Sequence, residues 1–587
     1  MRVPDKEWAT KPEYQSLLYF CQLLDDMVWE STRDSHRAPA MNTYHLCVEV
    51  ERTWDETQAS SLREGLISTI LDELQATGNG DPTVTAHFAE PWSKLTFALK
   101  SSVSQDTKVG AVARFYRQIE NSYLKRCRDE IQVLVSGKAT KKERVANLTG
   151  AFCSYLQNVG YTPRHISRMI GMRFFNRELA EHPVRELQDF FSRFSCRPVE
   201  FDVYMSVTEQ LVMAAGGRDF AEYKGRLPSV TRFVGAFAST EDVGEKVVVF
   251  RGISAFDEFG AVEQAEAKMA LVRAIAYTAR ADVHLAWQDE AVVVSPTNTA
   301  GYVVRARDEP LRKRYRDFAS YQFHVVGEWK RGVLEDQLSP SDANRLRNAL
   351  LSYANAFHSE SPSTQLVTLW SALEGLLPAS SGEGRIDTVL RYSLACQRTL
   401  YLRNLFRWSF IEHLATDREP FFKLLNEASD YTENLARFVA LLCFPKDKSF
   451  SEKLGVLAAM SPLTTQRGFV LHGASKNVQD LHRLVDAHVQ RVDWQLRRIY
   501  RERNRIVHRA DPSPNVGTLI LNLNEYLATV FEVLFAADAT RPYELGLDGL
   551  FESVCLDEEF RSKEVTGLAK TPLSAENSTT VLGFALK

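Results

Sequence analysis

The chain lacks several features that would assign it to a familiar class of protein. Its eight cysteines are scattered, with no Cys-x-x-Cys pair, which excludes a zinc knuckle and a thioredoxin-like redox motif. No glycine-rich phosphate loop occurs, so nothing supports nucleotide binding. Lys plus Arg (71) nearly balances Asp plus Glu (75), so a nucleic-acid site would have to be a local basic patch.

Two further absences concern location. The N-terminal stretch MRVPDKEWATKPEYQ lacks the charged-then-apolar layout of a secretion signal. By inspection, no apolar run approaches the ~18–20 residues of a membrane span. Scattered cysteines are typical of reduced thiols in a cytoplasm. We therefore expect a cytoplasmic protein with no membrane attachment.

Length and composition are those of a multidomain globular protein. With 587 residues, 44% of them hydrophobic and 25% charged, the chain is long enough for three or four domains. The pattern of residues predicts a mainly α fold, α+β overall. We divide it into a helical regulatory or sensor region (1–235), a small α/β domain (236–335), a helical bundle (336–545) and a polar, weakly attached C-terminal tail (546–587).

Local patterns support this division. Most of the first region has apolar residues at helical spacing, with one strand predicted at 44–50. The α/β domain is predicted from the β-branched or apolar runs 247–250, 283–286 and 292–294 and a helix over 258–281.

The bundle region is predicted from longer helical patterns. Apolar stripes run over 346–357 and 366–377, and a third helical region spans 386–443. A long helix over 478–509 ends at Asp511-Pro512, and an apolar helix follows over 516–535.

The histidines provide a first test for a catalytic motif. Four of the thirteen have an arginine five positions earlier, at 177/182, 467/472, 483/488 and 503/508. About one such pair is expected by chance in a chain of this length, so the spacing alone decides nothing. In the last pair Asn504 directly follows the arginine, and requiring that asparagine lowers the chance expectation to roughly a few hundredths.

The surroundings of this motif suit an anionic ligand. Asn504 and His508 are four residues apart and share one helix face, with His508 in the last turn. Between 491 and 509 there are seven arginines and two acidic residues, and guanidinium groups bind phosphates through paired hydrogen bonds. The sequence therefore predicts Arg503, Asn504 and His508 as catalytic residues and four arginines as RNA-binding: Arg498, Arg501, Arg505 and Arg509.

The motif and its setting resemble the HEPN superfamily, and within it the Apea-like HEPN group of prokaryotic defence proteins. The resemblance covers about 340–540 and includes the segment 369–377, LWSALEGLL, with Glu374 on an early helix. It implies a small helical bundle, usually dimerised so that two motifs face one composite cleft. This sequence departs from that pattern in a long insert between the two elements.

The resemblance implies a metal-independent, cofactor-free endoribonuclease, a regulated toxin of anti-phage defence (abortive infection). His508 would act as general base or acid, Arg503 would stabilise the charge of the phosphorane-like transition state, and Asn504 would orient the histidine or bind the phosphate. Glu374 would orient Arg503 or another arginine. The expected partners are RNA, with transfer RNA a target by family analogy, a second copy of the chain, and a phage-derived trigger.

Several alternatives stay open. Arg467 and His472 compete for the catalytic role, although no asparagine follows that arginine. An arginine-rich helix can be only a solvated or dimer-bridging face, and His508 can be a helix-capping histidine. The bundle can be a non-catalytic module that dimerises or binds RNA and transmits a signal. A metal nuclease would use the loose Asp…Glu-x-Lys pattern of Asp317, Glu328 and Lys330, which is common by chance.

Overall fold

The structure is a computed structural model of the chain, mainly helical with one small antiparallel sheet, which confirms the predicted mainly α fold. It describes residues 7–29, 32–59, 65–136, 142–179, 182–215, 220–225, 245–278, 285–295, 298–305, 338–359, 361–379, 384–416, 418–428, 430–444, 461–538 and 546–586.

The N-terminal region is a bundle that contains ten α-helices within the described residues. They are α1 (Gln15–Val28), α2 (Thr43–Ala59), α3 (Gly65–Gly80), α4 (Pro82–His87), α5 (Ala89–Lys100), α6 (Gln105–Ile119), α7 (Tyr123–Ser136), α8 (Lys142–Val159), α9 (Pro163–Ile170) and α10 (Pro183–Ser192). Side-chain caps mark several starts: Asp81, Ser104 and Thr162 each accept from a backbone N–H two or three residues later. The helices enclose two apolar cores.

The strand predicted at 44–50 is wrong, because this segment lies in α2. Leu46, Cys47 and Val50 are all buried, which is helical and not alternating spacing. Asn42 accepts a hydrogen bond from the His45 backbone N–H at 2.9 Å and so starts the helix. Packing on α3 and α6 outweighs the β preference of the short apolar run.

One small domain contains a β-sheet and two helices that pack on it, α11 (Glu209–Ala215) and α12 (Glu258–Thr278). Its strands are β1 (Val199–Thr208), β2 (Ala221–Glu222), β3 (Glu245–Ala255), β4 (Trp287–Ser295) and β5 (Asn298–Arg305). They pair antiparallel in the order β2-β3-β1-β4-β5, and α12 packs on one face.

The strands predicted at 247–250 and 292–294 are confirmed, and the helix predicted at 258–281 is confirmed over 258–278; its last three residues lie outside the described part. Of the run 283–286, the first two residues lie outside the described part and the last two immediately precede β4. The central strand β1 begins before the expected boundary at 235, so that boundary falls within the sheet domain.

The C-terminal region is a helical bundle. Its helices are α13 (Pro340–His358), α14 (Pro362–Leu376), α15 (Arg385–Thr416), α16 (Arg418–Leu425), α17 (Asn434–Cys443), α18 (Pro462–Ala474), α19 (Val478–Arg509), α20 (Val516–Asp538), α21 (Gly546–Gly567) and α22 (Ser578–Leu582). The two predicted apolar stripes form α13 and α14 and bury Leu346, Trp370 and Leu373 against α19 and α20. The insert builds a second core from α15 to α18 and the first part of α19.

The expectation of a weakly attached tail is wrong for most of 546–586. Helix α21 buries Leu550, Phe551 and Val554 in the same core as Trp370. The sequence of the segment hides this, because α21 has no single apolar stripe: Leu556 and Phe560 are exposed on the same helix. Leu582 of α22 is also fully buried.

Among the described helices, α20 has the length and apolar composition of a membrane span over Val516–Phe535, which corrects the expectation that no run approaches that length. In the structure 72% of its apolar window is buried. Leu519, Leu523 and Leu527 are fully buried in the bundle core, so α20 packs here as a core helix.

Candidate active site

Helix α19 carries the predicted motif, and its bounds match the predicted 478–509. Asn477 caps its N-terminus by accepting from the Asp480 N–H at 2.7 Å. Val485, Val492, Leu496 and Ile499 are buried at intervals of three, four or seven residues, which fixes the orientation of the helix in the bundle.

The helix ends immediately after the motif. Ala510 takes a left-handed conformation (φ 52°) and donates to the Ile506 carbonyl. The carboxylate of buried Glu502 accepts the Ser513 N–H at 2.5 Å, so the chain after the helix folds back along its last turn. This arrangement leaves the His508 side chain at the exposed end of the helix.

The three predicted catalytic residues lie within two turns of α19. Arg503 donates from Nη1 to the Asn504 side-chain oxygen at 3.0 Å, and both residues are half-buried. Its Nε is buried without a hydrogen-bond acceptor, and within the described part of the chain no carboxylate forms an ion pair with Arg503. Asn504 therefore orients a guanidinium that is not neutralised by a described acidic side chain, while His508 is exposed one turn away.

Glu374 does not take its predicted role. Its carboxylate faces Arg385, with Nε and Oε1 3.8 Å apart, and Arg385 also donates to the Glu374 carbonyl. The contact between α14 and α19 is instead aromatic: Trp370 packs against Tyr500 with ring centroids 5.6 Å apart. Glu374 therefore anchors the N-terminus of α15 and orients none of the motif residues described here.

The predicted RNA-binding role of Arg498 and Arg501 is contradicted, because both guanidiniums are used inside the protein. Arg498 donates to Glu49 at 2.8 Å and to Glu73 at 2.6 Å, and Arg501 donates to Glu49 at 2.7 Å. Arg498 is only 3% exposed. These pairs join α19 to α2 and α3 across more than 400 positions of sequence, which no local pattern could reveal.

The two carboxylates of this buried cluster differ in how far the neighbouring arginines offset the effect of burial on their pKa. Burial by itself raises the pKa of the Glu49 carboxyl, but the charges of Arg498 and Arg501 outweigh burial and hold that pKa at about 2. Burial likewise raises the pKa of Glu73, and the charges of Arg498 and Arg501 offset this only in part, because the Glu49 carboxylate raises that pKa further. The cluster (Glu49, Glu73, Arg498 and Arg501) is therefore a docking joint that depends on both cations.

The other two predicted RNA-binding arginines, Arg505 and Arg509, lie in the last two turns of α19, where the Arg505 side chain is 10% exposed. Glu56 of α2 bridges them, with its Oε1 3.6 Å from Arg505 Nε and 3.2 Å from Arg509 Nη1. Arg505 also pairs with Asp511 at 2.5 Å and with Glu502 at 3.4 Å. The Arg509 side chain remains 46% exposed.

The competing residues Arg467 and His472 are both used in contacts between helices. Arg467 pairs with Asp26 of α1 and Glu412 of α15, both at 2.6 Å, and its side chain is buried between them. His472 Nδ1 lies 2.7 Å from the Leu442 carbonyl oxygen. Arg467 and His472 therefore hold helices together, and this alternative loses its support.

The remaining two pairs are also tied into the fold. Arg177 donates to buried Glu186 at 2.6 Å. His488 is buried and stacks on Tyr401, with ring centroids 4.1 Å apart. His182 is exposed and caps the N-terminus of α10 by accepting the Val184 N–H at 3.4 Å. The pair 503/508 differs from 177/182 in that Arg503 has no described acidic partner, and from 483/488 in that its histidine is exposed.

One cluster with metal-ligand chemistry was missed by the sequence reasoning. His165, Asp257 and Glu258 place one ligand atom each within 4.8 Å of one another. Asp257 accepts the Thr162 N–H at 2.7 Å, and Glu258 bridges His165 (2.9 Å) and Arg168 (2.5 Å). These bonds join α9 to α12 and already engage the donor atoms, so the cluster fits a structural joint.

The metal-nuclease alternative rests on Asp317, Glu328 and Lys330, which lie outside the described residues. Comparison with protein-family models, with curated proteins and with solved structures finds no match for this chain. The resemblance to HEPN proteins therefore rests on the sequence motifs alone.

Proposed function

We propose that the protein is a metal-independent endoribonuclease of HEPN type whose active site contains Arg503, Asn504 and His508. The observation that carries the proposal is the arrangement at the end of α19. A guanidinium without a described acidic partner is held by the neighbouring Asn504, and an exposed histidine follows one turn later. This provides a fixed cation and a titratable group that a ligand can reach.

The proposed reaction needs no metal. A base removes the proton from a ribose 2′-hydroxyl, the 2′-oxygen bonds to the adjacent phosphorus, and the bond from phosphorus to the 5′-oxygen breaks. An acid returns a proton to that 5′-oxygen, so the products carry a 2′,3′-cyclic phosphate and a 5′-hydroxyl. His508 takes one of these two proton transfers, and Arg503 neutralises charge on the phosphoryl oxygens.

A single α19 supplies one histidine to this reaction, so we further propose that two copies of the chain face each other and each provides one proton-transfer group. RNA is the proposed substrate, with transfer RNA as the target suggested by analogy. The proposed setting is cytoplasmic anti-phage defence, in which the enzyme acts as a toxin after a phage-derived trigger.

A second candidate is a non-catalytic bundle that transmits a signal. The internal use of Arg498 and Arg501 favours it, because two of the four arginines predicted to bind RNA instead hold α2 and α3 in place. A module of this kind would need the basic face of α19 only for assembly.

The two candidates differ in one experiment. Purified wild type, Arg503→Ala, His508→Ala and the control His358→Ala are incubated with total RNA in EDTA. His358 is also an exposed histidine at the C-terminal end of a helix, α13. We expect fragments from wild type and His358→Ala, and at least a ~100-fold loss of rate for His508→Ala, because general acid–base groups contribute about 10²–10⁴-fold.

Equal cleavage by wild type and His508→Ala would contradict the assigned site. Cleavage that EDTA abolishes would favour a metal nuclease. Growth inhibition on expression in a bacterium, lost in the same two active-site variants, would support the role as a toxin.

A further inference from the structure

The outer end of the contact between α2 and α19 lies beside the proposed active site. Arg505 and His508 are three residues apart, and Arg505 and Arg509 are four apart, so all three side chains are neighbours on the helix surface. Glu56 is the residue from α2 that reaches this surface, and it bridges the two arginines at 3.6 and 3.2 Å.

This outer contact differs in kind from the docking joint. In the joint, Glu49 is 2% exposed and Arg498 is 3% exposed, and separating such a pair leaves uncompensated buried charge. At the outer end the Arg509 side chain is 46% exposed, so water can replace Glu56 on Arg509 at a small free-energy cost. The Arg505 side chain is only 10% exposed, but it keeps Asp511 and Glu502 as partners when Glu56 leaves. The structure thus combines a fixed attachment with a contact that can open while the attachment persists.

While Glu56 is in place, the carboxylates around Arg505 and Arg509 disfavour the binding of a phosphate group. Arg505 and Arg509 face three carboxylates, those of Glu56, Glu502 and Asp511. Removing Glu56 leaves two guanidiniums facing two carboxylates and frees Arg509 from its described ion-pair partner. Guanidinium groups donate to phosphate oxygens in the geometry they use for carboxylates, so a phosphate group and Glu56 compete for the same donors.

We infer that Arg505 and Arg509 form a phosphate-binding subsite for the RNA backbone next to His508, and that Glu56 occupies it as an intramolecular competitor. The identity of the ligand rests on the proposed function. RNA gains access to the subsite when the end of α2 moves aside, while Glu49 and Glu73 keep the N-terminal region attached through Arg498. The basic face of α19 therefore has two parts, one for docking and one for substrate.

The test measures binding without cleavage. The probe is a fluorescein-labelled oligoribonucleotide with 2′-O-methyl groups throughout, which lacks the attacking hydroxyl, and the readout is fluorescence anisotropy at low and moderate salt. The variants are Glu56→Gln, Glu56→Asp and the double variant Glu56→Gln with Arg509→Gln. Asp55→Asn is the matched control, because it removes one negative charge from the exposed side of the same helix.

We expect Glu56→Gln to bind the probe roughly ten-fold more tightly than wild type, and Asp55→Asn to stay within about two-fold. Glu56→Asp keeps the charge on a shorter side chain and is expected to give an intermediate gain. The double variant is expected to lose the gain, and higher salt is expected to reduce all differences. Thermal unfolding of each variant checks that the fold is retained.

Wild-type affinity in both Glu56 variants would overturn the inference, and so would an equal gain from Asp55→Asn, which would indicate only a change in overall charge. Persistence of the gain in the double variant would also overturn it. Because the probe cannot be cleaved, these outcomes are independent of catalysis. Tighter binding by Glu56→Gln without cleavage of natural RNA would contradict the proposed enzyme and leave the subsite standing.

Discussion

Replacing Arg498 with methionine removes the cation that Glu49 and Glu73 share. The methionine fills most of the space of the arginine stem, so the main effect is electrostatic: two buried carboxylates are left with Arg501 as the remaining cation of the cluster. Breaking a buried ion pair by removing one partner costs about 3–5 kcal/mol. We therefore expect a loss of this size in the free energy that holds α2 and α3 against α19.

The measurement is amide hydrogen exchange followed by mass spectrometry, because a chain with several cores does not unfold in one step. A loss of about 3–5 kcal/mol corresponds to roughly 10²–10⁴-fold faster exchange in peptides of α2 and α3 if these helices open locally. The control is Arg483→Met on the same helix, whose partner Asp480 lies at 2.9 Å and whose side chain is 68% exposed. Its expected cost is below about 1 kcal/mol.

Two results would refute this reasoning. Equal exchange in the Arg498 and Arg483 variants would show that the buried cluster does not hold the helices. Adding Glu49→Gln and Glu73→Gln to the Arg498→Met variant should restore the protection of α2 and α3 against amide exchange. If it does not, uncompensated buried charge is not the cause of the faster exchange. The defect should also shrink as the pH falls toward 5, because the absence of Arg498 raises the pKa of Glu73, which loses its described ion-pair partner, and that carboxylate then takes up a proton.

Three further predictions concern the fold. Phe551→Ala should cost about 3–5 kcal/mol, because Phe551 is fully buried, whereas Phe560→Ala on the same helix, 64% exposed, should cost little; equal unfolding temperatures would contradict the packing of α21. Burial lowers the pKa of His165, but its bond to Glu258 raises that pKa above the usual value. The contribution of His165 to the stability of the fold is therefore present below about pH 6.5 and lost as the pH rises. His165→Gln should lower the unfolding temperature more near pH 6 than near pH 9. Equal losses at the two pH values would contradict this role of the His165–Glu258 pair. Arg467→Met should destabilise the fold yet leave RNA cleavage per folded molecule unchanged, and a specific loss of cleavage would return Arg467 to the active site.

The sequence predicts those parts of the fold that local patterns determine. The bounds of α19 follow from its apolar spacing, from Asn477 at one end and from Pro512 beyond the other. The position of His508 near a helix end, exposed, follows from the same pattern. The side chains that the sequence places together on this helix are those within one or two turns, such as Arg503 and Asn504.

Contacts between segments that are far apart in the sequence could not be predicted from it. Arg498 and Arg509 belong to the same arginine-rich helix, yet one is a buried anchor of Glu49 and the other is 46% exposed beside Glu56. Nothing near Arg498 in the sequence indicates a partner on α2. The arginines could therefore be recognised as an anion-binding face, but not divided into those that bind carboxylates of the same chain and those left for a ligand.

The ends of the RNA products test most directly the chemistry proposed for the end of α19. Wild type and Glu56→Gln, each with and without His508→Ala, are incubated with a defined RNA in EDTA, and the products are identified by mass spectrometry. We predict 2′,3′-cyclic phosphate and 5′-hydroxyl ends whenever His508 is present and none when it is replaced. Products with 3′-hydroxyl and 5′-phosphate ends, or products that persist without His508, would contradict the account, as would intact RNA in all four samples.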